Sequence, residues 1–553
     1  MDQQHNSAAF SYFEYAGMDA RFGEKSLDEY FNPILSGFYP DPSICRKGND
    51  FFLTLSSFSY YPGVPIFHSK DLIHWKSLGH VLNRPSQLNL DGIRLNGGVY
   101  APAIAYNPHN DTFYLITTCV DGIGTFIVKT KDPFEERRWT DPIPLPHVGG
   151  IDPSLFFDDD GAAYIVHNDE PEGTPEWAGH RAVWIHAFDA ATDTTFGERK
   201  AILDGGVDRS KKPVWIEGPH LYKIRGSYFL MAAEGGTSVN HSEVILRADA
   251  VNGPYTPFGR NPILTQRDAP EPRADRVTSV GHADLIETPE GEWYAVFLGC
   301  RPYEGNFYNT GRETFLLPVM WQDGFPVILE RGTPVPVRVK KPRLPDAAGA
   351  HDMGSGNFLR RDDFSAKRLG SEWVMLRTPR GEPWFRLDNK LVLTVTDASI
   401  YDAGNPAFLG RRQQHTCFEA ETEMVYTPKD RNEIAGIVCY QNEANNVVFG
   451  KTFHEGKLAV TLTRAALPRS DRRTGTQEKK PVAFETVPPE LENAPVRLKV
   501  RGDRALYSFY LSFDRNGHWL PVAENLDCRN LSTESAGGFV GVMIGPYAGR
   551  QRT

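Results

Sequence analysis

Between residues 48 and 295 the chain repeats one pattern of polar and apolar positions five times. A turn rich in Gly, Asn or Asp is followed by a short aromatic-apolar run. The instances are Gly48-Asn49-Asp50-Phe51-Phe52-Leu53, Asn110-Asp111-Thr112-Phe113-Tyr114-Leu115, Asp160-Gly161-Ala162-Ala163-Tyr164-Ile165, Gly226-Ser227-Tyr228-Phe229-Leu230 and Gly291-Glu292-Trp293-Tyr294-Ala295. Taking Phe52, Tyr114, Tyr164, Phe229 and Tyr294 as anchors, the spacings are 62, 50, 65 and 65. Each anchor strand leads into a second apolar run and a turn, as in Val64-Pro65-Ile66-Phe67-His68 or Val244-Ile245-Leu246-Arg247, and helical periodicity is nearly absent. Short strands repeating at a long period mark a propeller or solenoid. Five such units predict a five-bladed β-propeller over residues 31–331, with long loops between strands.

The pattern stops at Arg331. Proline-rich residues from Gly332-Thr333-Pro334 to Pro345, then Gly354-Ser355-Gly356, predict a stiff and then flexible linker over 332–359. Beyond it, strict alternation returns. Phe418, Ala420, Thr422 and Met424 share a face opposite Glu419, Glu421 and Glu423; Tyr507, Phe509, Leu511 and Phe513 repeat the pattern, as do Val496, Leu498 and Val500. That is antiparallel sheet with one wet face, and residues 360–553 are predicted to form a β-sandwich. Arg469 to Lys480 reads as a polar surface loop, and residues 1–30 as a polar, loosely attached extension. A proline-rich linker holds two domains at a fixed offset, so the sandwich is expected to pack on the propeller and close one mouth of its channel.

Composition narrows the partners. A formal charge of −10 and the absence of a basic block exclude a nucleic-acid role. The six cysteines, at 45, 119, 300, 417, 439 and 528, lack CxxC spacing and read as buried free thiols of a reducing compartment. The first 30 residues lack the basic start and apolar core of a signal peptide, and no run of eighteen apolar residues occurs. The expectation is a cytoplasmic protein without membrane contact; homo-oligomerisation is left open.

The candidate chemistry lies about a dozen residues before each anchor. There the chain carries Asp41, Asp152, Glu217 and His282, with Pro102 in the second repeat. In a propeller the innermost strand of every blade lines one channel, so these positions converge. Their contexts agree: Tyr39-Pro40-Asp41-Pro42-Ser43, Ile151-Asp152-Pro153-Ser154 and Trp215-Ile216-Glu217-Gly218-Pro219-His220. Turn chemistry alone accounts for Asp and Pro but not for this phase. Clustered carboxylates repel and retain a proton. Glu217, flanked by Trp and Ile, is the one best placed to keep it. A protonated acid beside an ionised carboxylate is what glycosidic hydrolysis needs. Aromatic residues nearby (Phe38, Tyr39, Phe58, Tyr60, Tyr61, Tyr100, Trp215) offer faces on which sugar rings stack.

These motifs, with Asn32-Pro33-Ile34-Leu35 before the first and Leu155-Phe156-Phe157-Asp158-Asp159-Asp160-Gly161 after the second, resemble glycoside hydrolase family 43 over residues 31–553. The two-domain β-xylosidases and α-L-arabinofuranosidases are the nearest in pattern. The resemblance implies a propeller followed by a concanavalin-like sandwich, and an exo-acting, inverting hydrolase releasing xylose or arabinose from xylan-derived oligosaccharides. It implies Asp41 as general base, Glu217 as general acid and Asp152 as the group orienting the acid and tuning its pKa. It further implies that Phe58, Tyr100 and Arg312 contact the sugar. His282 would sit beside one Ca2+, with no cofactor required for the chemistry. Two departures stand out. Tyr100 occupies a position where many such β-xylosidases carry Trp. The chain also ends at Gly549-Arg550-Gln551-Arg552-Thr553, where the resemblance implies a further closing strand, so the sandwich is expected to lack it. A sugar-binding propeller without catalysis would have no use for three carboxylates in phase, and a protein-interaction propeller would leave its channel inert.

Overall fold

The computed structural model describes residues 6–345, 354–467, 477–514 and 517–551. Residues 346–353 of the expected linker and 469–476 of the expected surface loop lie outside them. The chain is almost wholly β. Five sheets built from consecutive strands form the blades of a propeller, and each blade opens with a strand beside the axis: Ser43–Lys47, Gly98–Asn107, Ile151–Phe157, Ile216–Ile224 and Thr278–Glu287. The anchor residues fall on the second strands, as in Asp50–Thr54 and Thr112–Val120.

Side-chain hydrogen bonds stitch the axial strands together. Ile104 N–H of blade II donates to Ser43 Oγ of blade I (3.1 Å), and Ser154 Oγ of blade III donates to the Pro219 carbonyl of blade IV (2.6 Å). Tyr222 of blade IV and Ser43 of blade I both donate to Asp284 of blade V, at 2.7 and 2.8 Å. The ring is closed by the chain leading into blade I. Asn32 Nδ2 donates to the Leu316 carbonyl and its Oδ1 accepts from Leu316 N–H, while Glu29–Phe31 pairs with Arg338–Lys340. Part of the expected linker is therefore a strand, because Arg338–Lys340 satisfies the backbone of the ring's first segment.

The sandwich stacks two sheets. Among the described residues one has eight strands, in the order 385–387, 391–394, 7–17, 417–425, 496–503, 506–512 and 520–527, with 359–362 also paired to 7–17. The other has seven, in the order 407–408, 543–550, 433–442, 445–454, 457–466 and 478–486, with 411–412 on 543–550. Glu478–Thr486 is a strand, so the predicted loop at 469–480 gives way to sheet before its end.

One expectation is corrected here. The first residues are not a loose extension: Ser7–Gly17 is an interior strand of the eight-stranded sheet, paired along its length with Cys417–Val425. Its inward residues are Ala8 and Phe10, then Phe13 and Tyr15, so the alternation slips by one. A bulge between Phe10 and Tyr12 absorbs the slip, which hides the strand from a period-two reading. Met543–Arg550 lies inside its sheet, and Ser7–Gly17 stands inside the facing one. The six cysteines are free thiols, all buried but Cys417, which is half-buried. Among the described residues no helix is long and apolar enough to cross a membrane.

Phe13 is fully buried, edge-on to Trp373 with ring centroids 5.3 Å apart. Phe13→Ala should cost ~3–5 kcal/mol, read as a lowered midpoint in urea unfolding. A loss typical of a surface site, below about 0.5 kcal/mol, would show that this strand is not core.

Candidate active site

At the head of each axial strand the chain carries the same local distortion. Asp41, Ala101, Asp152, Gly218 and His282 all take left-handed φ, at 51°, 35°, 55°, 58° and 51°. The first four precede a proline, which cannot donate to the ladder, and the sheet register shifts beside the last four. A bulge re-aims the side chains around it, so the distortion turns one residue per blade toward the axis. Holding a non-glycine residue there costs about 1–2 kcal/mol, a strain of the kind concentrated at functional sites. Gly218, not Glu217, is thus the structural equivalent of Asp41 and Asp152. Glu217 reaches the channel from the position before. Gly218 is required on a second count: a Cβ there would stand 2.9 Å from the His282 imidazole.

Asp41, Phe58, Tyr100, Asp152, Glu217, His282 and Arg312, the residues singled out from sequence, all line one cavity of about 490 Å³. Asp41 Oδ2 accepts from Ser56 Oγ (2.6 Å), and Ser56 Oγ accepts in turn from Ala101 N–H (2.7 Å). Asp41 Oδ1 faces Arg312 Nη1 at 3.4 Å, and Arg312 Nη2 donates to the Thr237 carbonyl. Asp152 Oδ2 accepts from Gly218 N–H at 3.3 Å, which ties it to the residue following Glu217.

Burial governs the charges. Glu217, 8 % exposed, is pushed up to about 7 by burial, with Asp41 adding to the shift and Arg312 and Arg181 opposing it. Burial, then the charges of Glu217 and Asp41, drives Asp152 well above the usual carboxylate range, against the Gly218 N–H and Arg312. Each of the two raises the cost of ionising the other beside Asp41, so the pair retains a proton near neutral pH. Burial lowers His282 to about 4, so its imidazole is neutral there. Among the described residues no group of three His, Cys, Asp or Glu side chains is placed to hold a metal ion. Ca2+ requires several oxygen ligands, and His282 offers one nitrogen packed against Gly218. A Ca2+ beside His282 would therefore take its oxygen ligands from water, with His282 as the protein's contribution.

The residue that sequence reasoning missed comes from the other domain. Phe539 lines the cavity, stacked on Phe58 at 5.8 Å, edge-on to Tyr100 at 6.1 Å and 4.8 Å from the Arg312 guanidinium carbon. Its N–H donates to Asn96 Oδ1 (2.7 Å), and Tyr100 Oη donates to the Asn96 carbonyl. Backbone from the two domains meets where Val542 N–H donates to the Asn309 carbonyl and Gly541 lies against Gly311. The sandwich therefore closes one side of the channel mouth. The available signal was an aromatic residue set among glycines, Gly537-Gly538-Phe539-Val540-Gly541. Arg181, Thr237 and Ser56 also went unpredicted.

A cavity in a propeller lined by three carboxylates and aromatic rings has the groups a glycoside hydrolase needs. Comparison with known proteins agrees. Residues 30–326 match the model of glycosyl hydrolases family 43, and residues 361–553 that of the β-xylosidase C-terminal concanavalin A-like domain. A xylosidase/arabinosidase of Butyrivibrio fibrisolvens is 37% identical over 94% of this chain and 95% of its own. A non-reducing end α-L-arabinofuranosidase of Bacteroides ovatus is 36% identical over 94% and 90%. Among solved structures, a family 43 enzyme retrieved from a capybara gut metagenome superposes with a TM-score of 0.91 at 42% identity, covering 99% of this chain and 100% of that one. The chain belongs to glycosyl hydrolases family 43.

The raised Glu217 pKa has a consequence for stability. Below about pH 4.5 the carboxyl is neutral folded or unfolded and costs nothing. Between about 4.5 and 7 the unfolded chain ionises it while the folded protein does not, so stability falls as pH rises, by up to ~3 kcal/mol above pH 7. Glu217→Gln should match the parent's melting temperature at pH 4 and exceed it at pH 8. Parallel curves across that range would show that Glu217 is not the proton holder.

Proposed function

We propose that the enzyme removes single pentose residues, β-D-xylose or α-L-arabinofuranose, from the non-reducing ends of xylan-derived oligosaccharides, with inversion. The observation that carries this is the cavity that the sandwich bounds on one side. Its carboxylates share that cavity with Phe539 of the second domain, a wall that suits a terminal sugar better than the middle of a chain. The names of the relatives support both pentoses, since they include a xylosidase/arabinosidase and an arabinofuranosidase.

On this reading Glu217 keeps its proton until it delivers it to the leaving oxygen, and its apolar surroundings make that proton available near pH 7. Asp41, held by Ser56 and with Arg312 as counter-charge, removes a proton from the attacking water. Asp152, fixed by the Gly218 N–H, shares the acid's proton and sets how readily it is released. Arg312 stands between Asp41 and the Phe539 ring, where it can also meet a sugar hydroxyl. His282 stays neutral and packs the base of the channel.

Glu217→Ala should cripple hydrolysis of glycosides with poor leaving groups and spare more of the rate on activated aryl glycosides, whose leaving oxygen needs little protonation. Asp41→Ala should be severe on both, because each still needs an activated water. The stereochemical test is proton NMR of the first product. A β-xyloside should release α-xylose, and β-xylose would overturn the assignment of Asp41 as a base.

A further inference from the structure

Behind the cavity a second charged cluster is buried more deeply than the first. The Arg301 guanidinium bridges two carboxylates. Nε and Nη2 donate to the two oxygens of Glu313, at 2.5 and 2.7 Å, and Nη1 donates to Asp19 Oδ2 at 2.8 Å. Nη2 also reaches the Gln414 carbonyl of the sandwich (3.0 Å). The side chains of Arg301 and Glu313 are 0% exposed and that of Asp19 is 2% exposed. Asp19 is held in turn from the sandwich, its Oδ1 accepting from Thr416 Oγ1 and Cys417 N–H, each at 2.7 Å. It therefore lies at the junction of the two domains, in a stretch outside both matched family models.

The cluster has two lines to the active site. Glu313 follows Arg312, and successive side chains on extended backbone point to opposite faces. Glu313 turns into the cluster while Arg312 turns into the cavity. Glu313 Oε1 also accepts from Gly37 N–H (2.7 Å), and the Arg312 carbonyl accepts from Tyr39 N–H (2.9 Å). Both donors belong to the turn that delivers Asp41. Replacing a buried ion cluster with well-packed apolar residues is often neutral or stabilising, so stability alone does not account for one. What a bidentate guanidinium–carboxylate pair does supply is fixed orientation.

We propose that Asp19 is a positioning residue for catalysis, acting through Arg301 and Glu313 to hold Arg312 and the Gly37–Asp41 turn in register. This deepens the glycosidase reading and rests on it. Removing the Asp19 charge leaves Arg301 buried with one carboxylate instead of two. The guanidinium then drifts toward Glu313, and the already long 3.4 Å contact between Arg312 and Asp41 loosens. A misplacement of ångström scale at the reacting centre costs on the order of 100-fold in rate.

The test uses the full chain with Asp19→Asn, which keeps the shape and removes the charge. Thr416→Val, which removes one hydrogen bond to Asp19, is the milder companion should Asp19→Asn fail to fold. Rates on an aryl β-xyloside are taken well below the melting temperature of each protein. Asp19→Asn should lower kcat by ~10-fold or more with a smaller change in KM. It should also move the alkaline limb of the pH profile upward, because Arg312 opposes the rise of the Glu217 pKa. Thr416→Val should move both quantities the same way by less. An active parent, with variants that melt earlier but keep kcat and the alkaline limb, would overturn the positioning role alone. A parent inert on both β-xylosides and α-L-arabinofuranosides would instead overturn the glycosidase reading and the positioning role with it.

Discussion

Desolvation of Asp41, Asp152 and Glu217 is the constraint around which this molecule is arranged. Withdrawing an ionised carboxylate from water costs several kcal/mol even after relaxation, and three share one cavity. The cost is contained in three ways. A proton is retained between Asp152 and Glu217, Arg312 supplies one buried positive charge, and Ser56 and the Gly218 N–H occupy carboxylate lone pairs. The Arg312–Asp41 contact and the Gly218–Asp152 hydrogen bond each join groups from different blades. Only a closed ring makes that meeting permanent. The hydrogen bonds that stitch the axial strands, and the pairing of Asn32 with Leu316 that shuts the ring, thus serve the electrostatics as well as the fold.

The sandwich belongs to the same arrangement. It places Phe539 over the cavity, and a low-dielectric lid strengthens every interaction beneath it. Holding the lid demands a rigid junction, and both ends of the chain contribute to one. Ser7–Gly17 is built into the eight-stranded sheet, Met543–Arg550 into its neighbour, and Asp19, between Ser7–Gly17 and the first blade, is hydrogen-bonded to both domains. A propeller lacking these parts would have a channel open on one side and a more hydrated acid. On that ground the two family-model regions form one catalytic unit.

The sequence made the repeating part of this legible. Five aromatic strand anchors gave the blades, and counting back from them reached Asp41, Asp152, Glu217 and His282, because residues in equivalent places of a propeller share an axis. The count was one residue loose at Glu217. The feature that recurs is a left-handed residue at the head of each axial strand, and in blade IV that residue is Gly218. Non-repeating parts were not legible. The strand at Ser7–Gly17 is disguised by a bulge that breaks its alternation. Phe539 sits in a short glycine-flanked loop whose partners, Asn96, Phe58 and Arg312, are hundreds of residues away. Arg338–Lys340 looked like linker because three paired residues are too few to show a period. Local pattern reports local structure, whereas a lid and a junction are defined only by what meets them.

The same contacts bear on the choice between pentoses. Tyr100 stands where a larger indole would be expected, yet the wall is not left thin. Its hydroxyl is tied to the Asn96 carbonyl, and Asn96 Oδ1 receives the Phe539 N–H, so one asparagine sets both rings. Phe58 completes the wall, edge-on to Tyr100 at 4.9 Å and stacked on Phe539. Such a wall offers a sugar shape and ring faces but few hydrogen-bonding groups. Hydrophobic pockets discriminate weakly between ligands of similar outline, whereas a site whose polar groups must be satisfied rejects a wrong partner strongly. Asp41, Asp152, Glu217 and Arg312 serve the chemistry common to both sugars, while Asn168, Asp169, Glu170, Arg181 and Thr237 add polar side chains to the rest of the lining. On the proposed reading, the catalytic groups act on xylose and arabinofuranose alike and do not choose between them. The choice between them falls to the aromatic wall and to the non-catalytic polar side chains of the lining, such as Asn168 and Arg181, because a site whose polar groups must be satisfied rejects the wrong partner.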